Sequence, residues 1–140
     1  MTKHYDVIVF GATSFVGKIL SRYLANQPAG TLRWAMAARS QTKLDELSRE
    51  LDVDVPLLIA DASDEASLKA LCAQANVIIS TVGPYALYGE PLVRACVETG
   101  TDYCDLTGEI QWASRMIKRY GEAAKVSGAR IVHCCGFDSI

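Results

Sequence analysis

Apolar and polar positions along this chain follow two periods, a short β-branched run and a longer helical stripe, in alternation. YDVIVF at 5–10 is apolar nearly throughout, as in a parallel strand covered on both faces. After it Phe15, Val16, Ile19, Leu20, Tyr23 and Leu24 recur at helical spacing, which predicts a helix over Phe15–Ala25 with these residues on its buried face. Pro28 and Gly30 end that segment. LRWAMAAR reads as the second strand, with Leu44, Leu47 and Leu51 striping the helix behind it. VPLLIA is the third strand. The helix DEASLKALCAQ follows, with Ser63 as its expected N-cap and Asp64 and Glu65 in its first turn. NVIIST is the fourth strand, and EPLVRACVET a helix with Pro91 near its start and Gly100 past its end. TDYCDL is the fifth strand. A longer helix from Glu109 to Val126, capped by Gly128, leads to ARIVHCC as the sixth.

Six strands joined by five helices predict an α/β fold of the Rossmann type, a doubly wound parallel sheet in the order 3-2-1-4-5-6. One dinucleotide-binding domain over 1–140 uses every element. The chain closes on GFDSI, an apolar ending just past a strand, and we expect a fragment whose C-terminal substrate or dimerisation domain is missing.

Composition narrows the setting. Half the residues are hydrophobic, enough for a substantial core. Fourteen basic against 16 acidic residues, a net charge of -2, give no reason to expect nucleic acid or an anionic membrane as partner. No apolar run has the length of a membrane span, and Asp6 interrupts what would be a signal peptide's core, so a cytoplasmic protein is expected. The five cysteines, Cys72, Cys96, Cys104, Cys134 and Cys135, contain no C-x-x-C pair and read as small hydrophobes of a reducing compartment, with no metal site.

GATSFVGKI, directly after the first strand, approximates two phosphate-binding loops. A P-loop fails because five residues separate Gly11 from Gly17 and because Ile19 stands where Ser or Thr would ligate magnesium. A dinucleotide turn fits better, because it lies where a strand passes into the first helix and the strand order reverses. Gly11 then makes the tight turn and Gly17 allows close packing of the helix. Thr13, Ser14, Phe15 and Val16 lie between them at the helix N-terminus, where phosphate oxygens gather. Ser14 takes the place of a middle glycine, and its hydroxyl either caps the helix or bonds a phosphate.

Arg39 ends the second strand about twenty residues beyond the last glycine, where an acid would hold the ribose 2′-hydroxyl of NAD. A guanidinium there suits the 2′-phosphate of NADP, with Ser40 and Lys43 adding a hydroxyl and a second charge. Asp61 and Ala62 at the third strand end are expected near the adenine, Asp61 alternatively capping the next helix. Thr81, Val82, Gly83 and Pro84 at the fourth are expected near the ribose and nicotinamide. Asp105 and Glu109 offer acid or base chemistry, but Thr107 with Glu109 also reads as a helix start, and no catalytic residue is assigned.

These segments, GATSFVG, AAR, VGPYALYGEPLVRACVETGTDYCDLTGE and GFDSI, resemble the NADP-binding N-terminal domain of saccharopine dehydrogenase-like oxidoreductases, a group that also takes in mycobacterial trans-acting enoyl reductases. Ser14 departs from that family's usual glycine. The resemblance implies that Arg39 recognises NADP and that a substrate domain, through which the protein forms a homodimer, follows GFDSI. It leaves two chemistries open, hydride transfer at a carbon–nitrogen bond or reduction of a carbon–carbon double bond. The expected function is the cofactor half of an NADP-dependent oxidoreductase, inactive on its own, the alternative being a non-catalytic NADP(H)-sensing module. A short-chain reductase complete in itself is excluded, because none of the six tyrosines has Lys four residues later.

Overall fold

The computed structural model of the chain describes residues 3–136. Its strands are β1 (Tyr5–Phe10), β2 (Trp34–Ala38), β3 (Leu57–Ile59), β4 (Ala75–Ser80), β5 (Asp102–Asp105) and β6 (Ile131–Val132), in one sheet of order β3-β2-β1-β4-β5-β6. Every pairing is parallel. The helices are α1 (Phe15–Ala25), α2 (Gln41–Leu51), α3 (Glu65–Cys72), α4 (Tyr85–Tyr88), α5 (Glu90–Thr99) and α6 (Ile110–Ser127). The expected doubly wound order is therefore the observed one.

The sheet divides two hydrophobic clusters. Val7, Val9, Met36 and Leu57 face α1 and α2, meeting Leu20, Leu24, Leu44 and Leu47. Ile8, Phe10, Ile78 and Tyr103 face the other way, against Leu68 and Leu71 of α3, Leu92 and Val93 of α5, and Trp112 and Met116 of α6. Right-handed crossovers require this sorting, because connections running from β1 towards β3 lie on one face and those running towards β6 on the other. Leu44 and Leu47 are fully enclosed, so truncating either to Ala costs about 2–5 kcal/mol.

Several local expectations are corrected. The face that α1 buries is Gly17 and Ser21, flanked by the half-buried Leu20 and Leu24, whereas Phe15 (80% exposed), Val16, Ile19 and Tyr23 face outward. The apolar stripe was wider than the contact, and the smallest residues took the closest approach. Asp64, not Ser63, caps α3, its carboxylate accepting from the N–H groups of Ala66 and Ser67. Tyr85–Tyr88, between the expected fourth strand and the helix EPLVRACVET, forms the short α4. The sixth strand keeps only Ile131–Val132, and Cys134 adopts a left-handed conformation (φ 62°) that a strand does not allow. Cys72 and Cys96 are buried as expected, Cys104 is half-buried, and Cys134 and Cys135 are exposed. Phe137–Ile140 of GFDSI lie outside the described residues. Among the described residues no helix is long and apolar enough to cross a membrane.

Candidate functional site

The strand order reverses between β1 and β4, and the carboxyl ends of the central strands open there into a cleft of about 460 Å³. Parallel strands aim all their C-terminal loops at one edge, so residues far apart in sequence line one space.

The turn from β1 into α1 forms one wall. The N–H groups of Gly11 and Ala12 both bond the Ala37 carbonyl, which prolongs the ladder past β1, and Gly11 then turns with φ +86°. A Cβ at Gly11 would lie 2.6 Å from Thr81 Oγ1 and 2.7 Å from Val82 Cγ2, so glycine is required by conformation and by space. Gly17 is tighter still. A Cβ there would sit 2.0 Å from the Gly11 carbonyl oxygen, which explains why the helix meets its own turn at a glycine.

Ser14 fills the first of its two expected roles. Its Oγ accepts from the Gly17 N–H at 3.1 Å, capping α1, and lies 2.8 Å from the Gly11 carbonyl, to which it donates its single proton. Thr81 Oγ1 is 2.9 Å from the same carbonyl and 3.2 Å from Ser14 Oγ, so the two hydroxyls tie the turn to the end of β4. Ser14 thereby organises the turn, and its hydroxyl proton is committed to protein. The Phe15 and Val16 N–H groups have no protein partner among the described residues, as expected of the first residues of a helix. A ready anion site is therefore made of backbone, and Phe15 and Val16 contribute through main chain while their side chains point to solvent.

Arg39, Ser40 and Lys43 line the second wall, at the end of β2 and the start of α2. The Ser40 hydroxyl caps α2 by accepting from the Lys43 N–H at 3.2 Å. Asp61 and Ala62 lie beyond them at the end of β3. Asp61 caps no helix. It accepts from the Ser63 N–H and hydroxyl at 2.8 and 2.7 Å, and these bonds, with the positive field of Arg39 adding to them against slight burial, hold its carboxyl below the usual range. Thr81, Val82 and Gly83 complete the floor. Of the expected residues, Gly11, Thr13, Ser14, Arg39, Ser40, Lys43, Asp61, Ala62, Thr81, Val82 and Gly83 line the cleft, while Phe15, Val16, Gly17 and Pro84 do not. Phe10, Ala38, Ala60, Ser63 and Tyr88 line it without having been foreseen. Phe10 and Ala38 end β1 and β2 and Ala60 directly follows β3, so the three were legible as strand-end positions. Tyr88 reaches the mouth through the folding of α4.

The two candidate acids are used elsewhere. Glu109 accepts from the Tyr85 N–H at 2.6 Å and the Ala86 N–H at 3.1 Å, so it caps α4 across the loop and not the helix it precedes. Asp105 is almost fully enclosed (1% exposed) and accepts from Tyr103 Oη at 2.6 Å, His133 Nδ1 at 2.8 Å, the Cys134 N–H at 3.0 Å and the Thr107 N–H at 3.1 Å. Burial opposes its ionisation, but the bonds from His133, Tyr103, Cys134 and Thr107 outweigh burial and keep its carboxyl below the ordinary value. An ionised carboxylate only accepts, so His133 carries its proton on Nδ1. The cluster joins β5 to the segment after β6 and lies outside the cleft lining.

A dinucleotide phosphate fits this arrangement on its own terms: free helix-terminal N–H groups, glycines where side chains would obstruct, and two cations at the far wall. Comparison with known proteins agrees. The family described as saccharopine dehydrogenase NADP binding domain matches residues 7–132. A trans-acting enoyl reductase of Mycobacterium tuberculosis is 45% identical over 99% of this chain, which spans 34% of that protein. Apo saccharopine dehydrogenase (L-Glu forming) of Saccharomyces cerevisiae superposes with a TM-score of 0.78 at 18% identity, over 96% of this chain and 28% of that one. An NADPH-dependent quinone oxidoreductase of Escherichia coli, solved with NADPH, superposes at 0.64 with 17% identity, over 91% and 47%. The chain thus spans about a third of the length of the curated relatives it matches.

Proposed function

Because this chain belongs to the saccharopine dehydrogenase NADP-binding domain family, we propose that it is the cofactor half of a longer hydride-transfer oxidoreductase. NADP is the cofactor of that family, and when bound it supplies or accepts the hydride. The residues of this chain bind and orient it. The N–H groups at the start of α1, reached past Gly11 and Gly17, receive the pyrophosphate. Arg39, Ser40 and Lys43 receive the 2′-phosphate, Asp61 and Ala62 border the adenine, and Thr81 to Pro84 border the ribose and nicotinamide. The substrate, the acid that protonates it and the homodimer contact belong to polypeptide beyond the matched region, of the kind that makes up two thirds of the relatives. The named relatives reduce an enoyl group or act on saccharopine, and the double bond of an enoyl substrate is the nearer precedent at 45% identity.

The observation that carries this reading is Arg39 with Lys43 facing the α1 N-terminus across one cleft. Titration of the chain with NADPH and NADH tests it. Arg39→Ala should weaken NADPH binding about 10- to 100-fold, the worth of a charge-assisted bidentate bond, and change NADH binding about 2-fold or less. Equal losses for the two nucleotides would remove the 2′-phosphate assignment.

A further inference from the structure

Among the described residues, one face of this sheet is covered only in part. Cross-strand neighbours share a face, so the register carries Val9 of β1 through Ile79 of β4 and Cys104 of β5 to Val132 of β6. Exposure rises along that row, from the enclosed Val9 through half-buried Ile79 and Cys104 to Val132 at 52%. On the opposite face Ile78 and Tyr103 are enclosed by α3, α5 and α6. Ile79, Cys104 and Val132 belong to neither hydrophobic cluster. Parallel strands of this kind are ordinarily covered on both sides.

The edge of α1 makes a wall for the same strip. Arg22 reaches Glu50 of α2 at 3.5 Å, so that flank of α1 turns towards α2. Tyr23 (62% exposed) lies about 100° round the helix from Arg22, on the flank towards the strands beyond β1. From β1 to β6 the sheet spans three strand spacings, roughly 14 Å, and α1 already covers β1, which leaves the width of one helix of about 10 Å.

We propose that this groove, floored by Ile79, Cys104 and Val132 and walled by Tyr23, seats one amphipathic helix from the polypeptide that follows the matched region in the longer protein. The curated relatives have twice as much chain outside that region as within it. Handedness agrees, since this face holds connections running away from β6, so its occupant belongs to a chain that has passed the β6 edge and turned back. A second copy of this chain fits less well, because two recessed grooves facing each other leave a gap where each needs a ridge. The inference rests on the reading of this chain as half of a longer enzyme.

The test compares the 140-residue chain with the chain continued through its own reading frame. In the short chain a hydrophobic dye should bind, sedimentation should show a monomer, and Val132→Lys should reduce dye binding while moving Tm by about 2 °C or less, as at an exposed site. In the continued chain the dye signal should vanish, Cys104 should alkylate at least tenfold more slowly, and Val132→Lys should restore both. A reading frame that stops at Ile140, equal alkylation of Cys104 in both chains, or a short-chain dimer that Val132→Lys dissociates would each overturn the proposal. NADPH titration of the same samples separates the two readings. Val132→Lys should leave affinity unchanged, whereas a wild-type chain that binds no NADPH refutes the cofactor assignment and leaves the protection result standing.

Discussion

Adding one methyl group at Gly17 tests whether the close approach of α1 to its own turn is the structural basis of the cleft. A Cβ built there falls 2.0 Å from the Gly11 carbonyl oxygen and 2.9 Å from Cα and C of Ala12. All three are backbone atoms, so no side-chain rotation relieves the overlap. The first is about 1.4 Å short of ordinary contact at 3.4 Å, and α1 must withdraw from the turn by a comparable distance. Overpacking of this kind costs about 1–3 kcal/mol, and the upper half applies where the obstructing atoms are fixed. Withdrawal would also strain the bonds of Ser14 Oγ to Gly17 N–H and Gly11 O, at 3.1 and 2.8 Å. For a domain of this size about 2–3 kcal/mol corresponds to a fall in Tm of roughly 5–10 °C, readable by calorimetry. The Phe15 and Val16 N–H groups move with the helix, so NADPH affinity should fall at least tenfold by fluorescence titration. Gly121→Ala is the control. Nothing lies within 4 Å of a Cβ at Gly121, inside α6, and the same substitution there should stabilise by about 0.5–1 kcal/mol. If Gly17→Ala leaves Tm within about 1 °C of wild type and NADPH affinity within about 2-fold, the close-approach argument is wrong.

Three further outcomes follow from the same geometry. Ser14→Gly should cost only a few tenths of a kcal/mol in stability and leave NADPH affinity within about 2-fold, because the hydroxyl proton is committed to Gly11; a tenfold loss of affinity would make the hydroxyl a phosphate ligand. Asp105 has a folded-state pKa below its unfolded value, so its contribution is fully present above about pH 4 and is lost as pH falls below that through the depressed value. Asp105→Asn should therefore lower stability by about 2 kcal/mol at neutral pH and flatten the acid limb of denaturant midpoints measured below pH 4; an unchanged acid limb would show that other carboxylates set it. Glu109→Ala removes the cap on Tyr85 and Ala86, costing about 1 kcal/mol, and hydrogen exchange should accelerate in α4 before it does in α6, the reverse order placing the cap on α6.

What the amino-acid order determined by itself was whatever depends on local periodicity and backbone conformation. Alternation of apolar runs with helical stripes is a property of neighbouring residues, and it was enough for six parallel strands, five long helices and their order. The spacing of Gly11 and Gly17 separated a dinucleotide turn from a P-loop, because φ +86° at Gly11 and the absence of space at Gly17 are demands on those positions alone. Arg39 was legible because strand length fixes where a strand ends.

Tertiary structure decided which partner each group meets, and that is not encoded in spacing. The apolar stripe of α1 is broad enough to offer several faces, and the sheet selected the one with Gly17 and Ser21 because helix and turn could approach only there. Glu109 has the sequence position of a cap for α6, yet the N–H groups its carboxylate meets in space are those of Tyr85 and Ala86, on a helix too short for periodicity to show. His133 and Asp105 are 28 residues apart, and only the parallel placement of β5 and β6 joins them. The uncovered row from Ile79 to Val132 also exists only in the sheet, because residues in separate strands become one surface when register aligns them.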